Sequence, residues 1–187
     1  IYIYDTKANK LHQATHEFYS HDAPVFDPEG KYLYCLTSRT FEPSYSNVDT
    51  TWIYANTYNI AAISLRKDIP SPLAPRNDIE GEPKKPVEDK AKTDEARKAE
   101  LKKDEKAEKK EAPKPVEIDI EGLEERLVVL PPKNGNYSST SLAAVKGKVV
   151  YLRFPRTGSG EEKSPVLFWD LEAREEKTII GDADGFM

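Results

Sequence analysis

Three histidines, His12, His16 and His21, fall within the stretch HQATHEFYSH, and a cluster of that type is where zinc chemistry would be sought. A helical H-E-x-x-H site places its two rings four residues apart on one face. Here His21 follows His16 by five residues, which on a helix would swing the second ring about 140° away. The surrounding residues read as strand and loop, so no metal or cofactor is expected. Cys35 is the single cysteine, so no intrachain disulfide can form. It lies inside the apolar run Tyr32-Leu33-Tyr34-Cys35-Leu36, where a thiol packs as a small hydrophobe. The glycines of RTGSGEEKS (156–164) lack the Gly-Lys-Ser/Thr ending and the following helix of a phosphate loop, and read as a hairpin loop. No G-x-S-x-G elbow is present, and no Ser, His and acid set follows from spacing. No catalytic residue is therefore expected in the chain.

The remaining chemistry is aromatic. Residues 39–59, RTFEPSYSNVDTTWIYANTYN, are long for a connection and carry Phe41, Tyr45, Trp52, Tyr54 and Tyr58. Rings on a loop can wall a binding site, or they can pack the loop onto the sheet beneath it. Tyr45, Trp52, Tyr54 and Tyr58 are the candidate ligand contacts.

The elements that would position these residues are short strands. In HDAPVFDPEGKYLYCLTS (21–38), Asp27-Pro28-Glu29-Gly30 suits a tight turn: Asp caps backbone amides, Pro presets φ, and Gly accepts positive φ. Val25-Phe26 and Tyr32 to Leu36 on either side are strand formers, which predicts a hairpin over 24–36. The pattern repeats. IYIYDTKANK (1–10), NIAAISLRKD (59–68) and VLFWDLEARE (166–175) are each an apolar strand entering a charged turn, with Asp5 and Asp170 in equivalent places. EGKYLYCL (29–36) is echoed by KGKVVYLR (146–153). KLHQAT, ERLVVLP and EKTII supply the second strand of each closing pair. Hairpin, loop, strand, turn, strand, then hairpin again gives about four antiparallel strands per unit, the plan of a β-propeller blade. A β-sandwich would explain the strands but not their repetition. The fold class is all-β, an incomplete set of propeller blades.

At 187 residues, with 37% hydrophobic and 33% charged, the composition looks poor in core until the charge is located. Much of it sits between Glu80 and Lys114, in and after the proline-rich DIPSPLAPRNDIEGEPKKP. Opposite charges at i,i+4, such as Glu88 with Lys92, support a solvated helix, whereas Lys98 with Lys102 repel. Leu101 is the only large apolar residue between Ala91 and Ala112, so no face can be buried. This is the composition of a disordered or transiently helical insertion. VEIDIEGLEERLVVLP (116–131) reads as strand-rich resumption of the fold, with Ile118, Ile120, Leu123 and Leu127 toward a core. The expected organisation is blades over 1–75, a charged insertion within one blade over 76–116, and blades again over 117–187. A net charge of −5 argues against a nucleic-acid partner, and no apolar run is long enough to span a membrane. Opening on a strand and stopping at a turn, the chain reads as an internal piece of a longer protein.

FDPEGKYLYCLTSR resembles the propeller repeat of TolB and of the tricorn protease, written S-P-D-G-K before a short apolar strand; here Asp27 stands at the serine position and Glu29 at the aspartate. TTWIYANTYNIAAISLRKDIPSPLAP, then a charged insertion, then VEIDIEGLEERLVVLPPKNGNYSS, is similar specifically to the later propeller of bacterial tricorn-like serine peptidases. The resemblance implies a parent with two propellers, a PDZ-like domain and a serine peptidase core, the propellers channelling or filtering peptides toward that core. It implies no catalytic residue here. Tyr45, Trp52, Tyr54 and Tyr58 become candidates for peptide binding or channel lining. The implied partners are peptide substrates and the remaining blades, PDZ-like and peptidase domains, with homo-oligomerisation left open. The cytoplasm is the implied compartment, with the periplasm also compatible. The alternative is a non-catalytic TolB-like propeller serving protein interaction.

Blades that do not close a ring expose unpaired strand edges. The isolated 187-residue chain is expected to aggregate or to melt broadly on heating. A sharp, reversible monomeric transition by calorimetry would contradict this.

Overall fold

Strand β4 (Tyr32–Thr37) buries every residue from Leu33 onward, and β7 (Asn59–Ser64) buries all of its residues. Side chains alternate across a strand, so burial of consecutive residues means that both faces of the sheet are covered. The uninterrupted runs YLYCL and NIAAI already depart from the alternation of a sheet with one wet face. The protein is described by a computed structural model over residues 1–16, 18–76 and 116–186. The insertion expected to be disordered or transiently helical lies almost entirely outside the described residues.

The strands are β1 (Tyr2–Asp5), β2 (Lys10–Gln13), β3 (His21–Phe26), β4, β5 (Ser44–Tyr45), β6 (Trp52–Ile53), β7, β8 (Leu127–Val129), β9 (Asn136–Val145), β10 (Lys148–Phe154), β11 (Val166–Asp170) and β12 (Glu175–Ile180). All pair antiparallel: β1 with β2, β5 with β6, and two four-stranded sheets ordered β3-β4-β7-β8 and β9-β10-β11-β12. The repeat seen in the sequence is the repeat of the sheets. β7 and β11 are third strands and β8 and β12 fourth strands, and the β1–β2 pair matches them. β3–β4 and β9–β10 are the opening hairpins.

Two cores flank the middle sheet. On one side Tyr34, Leu36, Ile60 and Ala62 meet Leu142, Val149, Tyr151, Leu167 and Trp169 of the last sheet. On the other, Leu33, Cys35, Ala61 and Ile63 pack with Ala14, Leu65 and Leu123, and with Ile1 and Ile3 at their margin. Cys35 is fully buried, and burial pushes its thiol up to about 12, so it is a packing residue. Tyr151 is also fully buried but reaches Glu176 Oε2 with its hydroxyl at 2.6 Å, which satisfies the polar end.

The turns follow their sequence. Gly30 takes φ 67° and donates to Asp27 O at 2.9 Å, closing the turn of the β3–β4 hairpin; Gly147 likewise takes a positive φ, 70°, in the tight turn between β9 and β10. Asp5 Oδ1 accepts from Lys7 N and Ala8 N at 2.8 and 2.9 Å. Asp170 Oδ1 accepts from Glu172 N and Ala173 N, both at 2.9 Å. Four residues beyond each aspartate the chain turns left-handed, at Asn9 (φ 53°) and Arg174 (φ 56°). Asparagine tolerates this; an arginine there is strained by about 1 kcal/mol. Its guanidinium offsets the strain by donating to the carbonyls of Ala74 and Pro72, which tethers the proline-rich limb leaving β7.

In the middle sheet the turn between third and fourth strands is replaced by the long excursion from Ser64 to Leu127. Arg126 closes its neck. Nε donates to Ser64 O at 2.8 Å, Nη1 to Glu121 O and Gly122 O at 3.0 and 3.1 Å, and Nη2 to Leu65 O and Asp119 O. One fork thus gathers carbonyls from both limbs. Asp119 adds a backbone bond to Leu65 O at 2.9 Å and accepts Lys67 N at 2.8 Å. The strand-rich reading of 116–131 is corrected here: only Leu127–Val129 is strand, preceded by a 3₁₀ turn at Glu124–Arg126. Gly122 at φ 64° turns the limb so that Leu123 drops into the core, and the neck hydrogen bonds replace a ladder. Leu123 is buried as expected, with Ile118 and Leu127 at the core margin.

Glu124 joins the linker after β2 to the end of β4. Its Oε2 accepts the backbone N–H of His16 at 2.6 Å and meets the His16 ring; Oε1 accepts from Arg39 Nη2 at 2.6 Å. Burial works to raise this carboxyl, but the His16 amide and ring and the Arg39 charge outweigh it and hold it below its ordinary 4.5.

Two outcomes are expected. Closing a loop of roughly 50 residues costs about 3.5 kcal/mol plus a constant, which Arg126 helps to offset. Arg126→Met in the intact protein should lower the protection of β7 and β8 amides in hydrogen exchange by about 2–3 kcal/mol, and by less once residues 80–114 are removed. A depressed folded-state pKa stabilises above the unfolded value and loses that contribution as pH falls through the folded one. The thermal midpoint should therefore drop as pH falls below about 5, and Glu124→Gln should flatten that acid limb.

Candidate functional site

The connection between β4 and β7 runs from Ser38 to Tyr58, and most of its residues are exposed or half-buried. Its middle forms a small hairpin of its own. Tyr45 pairs with Trp52 and Ser44 with Ile53. Ser46 N donates to Thr51 O at 2.8 Å, and Thr50 takes φ 54° to complete the turn.

Period-two geometry places Tyr45 and Trp52 on one face of this hairpin and Ile53 on the other, with Tyr54 just beyond the end of β6. Tyr45 and Trp52 meet edge to face, centroids 5.4 Å apart at 70°, and Tyr54 is 5.7 Å from Phe41. The rings pair with each other and remain open: Phe41 is 77% exposed, Tyr45 52%, and Trp52 and Tyr54 55% each. The loop is therefore not packed onto the sheet through these residues. Tyr58 parts from the other candidates. It is half-buried against the core shared by the two large sheets, and its hydroxyl donates to Asp22 Oδ2 at 3.1 Å. Burial first, then that carboxylate, raises its pKa.

The base of the hairpin is fixed by asparagines. Asn56, left-handed at φ 57°, accepts Thr157 N on Oδ1 at 2.9 Å and donates to Thr157 O at 3.3 Å. Asn134 Nδ2 donates to Asn56 O at 2.9 Å and to Glu42 Oε2 at 3.2 Å. Asn59 Nδ2 reaches Thr40 Oγ1 at 2.5 Å. Asn136 Nδ2 donates to Pro155 O and Thr157 Oγ1, bracing the loop that receives Asn56. The aromatic face thus stands on a foot bolted to the next sheet. Sequence reasoning missed this foot because Asn56 and Thr157 lie 101 residues apart. It also passed over Phe41 as a contact, although its ring type and place in the same loop were visible.

The histidines disperse, as strand and loop residues do. His12 sits on β2 opposite Ile3, His16 meets Glu124, and His21 Nδ1 lies 2.9 Å from Tyr19 O. Among the described residues, no group of three or more His, Cys, Asp or Glu side chains is placed to hold a metal ion.

With this geometry in view, comparison with known proteins identifies the family. A family model described as the tricorn protease second beta propeller domain matches residues 1–187. Tricorn protease homolog 1 of Streptomyces coelicolor is 28% identical over 174 residues, covering 88% of this chain and 14% of that protein. The crystal structure of the tricorn protease contains a chain 19% identical that superposes with a TM-score of 0.62 over 96% of this chain and 15% of its own length, a likeness of fold. The chain thus spans only about a seventh of these relatives. Its two four-stranded antiparallel blades, packed face to face, and a family match over the whole length make it a member of the tricorn protease second β-propeller domain family.

Proposed function

We propose that this chain is a propeller segment of a tricorn-like serine peptidase, and that it channels or filters peptides toward a catalytic core outside these residues. The family match over the whole chain supports the parent activity. The observation that carries the local role is the pair of exposed ring contacts, Tyr45 with Trp52 and Phe41 with Tyr54, on a hydrogen-bonded base.

Elementary chemistry says what such a face does. Tyr and Trp offer large contact area with few rotatable bonds, so little entropy is lost on contact. The rings are already paired, which fixes their orientation before a ligand arrives. The short hairpin also leaves the outer edges of β5 and β6 unpaired among the described residues, where an extended peptide can add backbone hydrogen bonds. An element of this kind holds an unfolded chain without demanding one sequence. It supplies no nucleophile, and its influence on proteolysis is through access.

The test separates access from chemistry. In the full-length parent, Tyr45→Ala combined with Trp52→Ala should lower kcat/KM for long unfolded polypeptides by roughly tenfold, since each exposed aromatic contact is worth about 0.5–1.5 kcal/mol. Hydrolysis of a short chromogenic peptide should be unchanged, and removal of residues 80–114 should leave both rates largely intact. Equal loss for short and long substrates would contradict an access role. Absence of serine-type peptidase activity in the parent would overturn the assignment itself.

A further inference from the structure

The aromatic hairpin also carries a charge pattern. Between Thr40 and Tyr58 the only carboxylates are Glu42 and Asp49, and there is no Lys, Arg or His. Arg39, at the hairpin's foot, is engaged by Glu124 at 2.6 Å and lies 4.8 Å over the Tyr19 ring. Lys133 and Arg156 adjoin Asn134 and Thr157, which bond the hairpin's foot, and neither lies on the ring-bearing segment 40–58 itself. The segment thus offers two exposed ring pairs, Phe41 with Tyr54 and Tyr45 with Trp52, and two acids, of which Glu42 also accepts from Asn134.

Aromatic faces carry a negative quadrupole, and a cation placed over them is attracted in addition to any apolar contact. A guanidinium gains most, because it is planar, stacks on rings and is less strongly hydrated than an ammonium. Purely apolar side chains gain area alone, and acidic ones are repelled by Glu42 and Asp49.

We infer that the hairpin selects extended peptides bearing arginine, and lysine more modestly, through the rings of Phe41, Tyr45, Trp52 and Tyr54 and the carboxylates of Glu42 and Asp49. This rests on the peptide-contact reading above and gives it a side-chain preference. The backbone edge of β5 or β6 would hold the peptide irrespective of sequence, while the ring face reads alternate side chains.

The experiment uses the full-length parent and three fluorescein-labelled Gly/Ser peptides of equal length, carrying Arg, Leu or Glu at alternate positions. Binding is read by anisotropy at low ionic strength. The wild type should bind the Arg peptide roughly fivefold more tightly than the Leu peptide, the gain expected of exposed cation–π contacts, with the Glu peptide weakest. Tyr45→Leu with Trp52→Leu keeps apolar bulk and should bring the Arg and Leu peptides together. Asp49→Asn, which leaves the rings intact, should weaken the Arg peptide alone and by about twofold. A wild type without Arg preference, or a preference that survives the Leu double variant, overturns the inference. If the double variant weakens all three peptides equally, the side-chain preference falls and peptide contact stands. If no peptide responds to it, the contact reading falls as well.

Discussion

Everything in this chain depends on the middle sheet being buried on both faces. Leu33, Cys35, Ala61 and Ile63 require one neighbour, and Tyr34, Leu36, Ile60 and Ala62 require another. Fully burying each of the leucines and isoleucines among them contributes about 1.5–3 kcal/mol, so neither face can be left wet. A sheet so constrained has freedom only at its ends, where the turns are. It is there that the protein departs from the repeat: an aromatic hairpin between second and third strands, and a charged insertion between third and fourth.

The two departures are held in the same way, by polar side chains that reach across sequence to backbone carbonyls. Arg126 gathers carbonyls from both limbs of the insertion neck, and Arg174 accepts a strained left-handed backbone to tether the outgoing limb. Asn56, Asn134 and Asn136 do the corresponding work for the hairpin. In each case the blade keeps its register because the excursion is fixed at its foot. The β7–β8 pairing of Ala61 with Val129 and Ile63 with Leu127 survives an interruption of more than fifty residues for that reason.

Much of the fold was legible in the sequence because the blade imposes local rules. The third strands could be aligned by their apolar runs and by Asp5 and Asp170, whose carboxylates accept the next turn's amides in the same way. The hairpin turn at Asp27–Gly30 needed only its own four residues. What could not be read was non-local. Nothing near Arg126 announces that five carbonyls converge on it, and the strand-like alternation of Ile118 and Ile120 hid a turn at Gly122 that the neck requires. In the candidate site the ring types were legible, but not their sorting. Tyr58 went to the seam between blades, while Tyr45, Trp52 and Tyr54 stayed open with Phe41, because strand register and not composition decides which face a residue takes.

On the proposed function, the open rings are a working surface standing on a sealed blade. Amide hydrogen exchange of the full-length parent, with and without a long unfolded polypeptide, addresses that claim most directly. Protection should be high in β4 and β7 in both states, and should rise on adding the polypeptide only in the hairpin around residues 41–54. A hairpin already protected in the free protein, or one indifferent to the polypeptide, would contradict it.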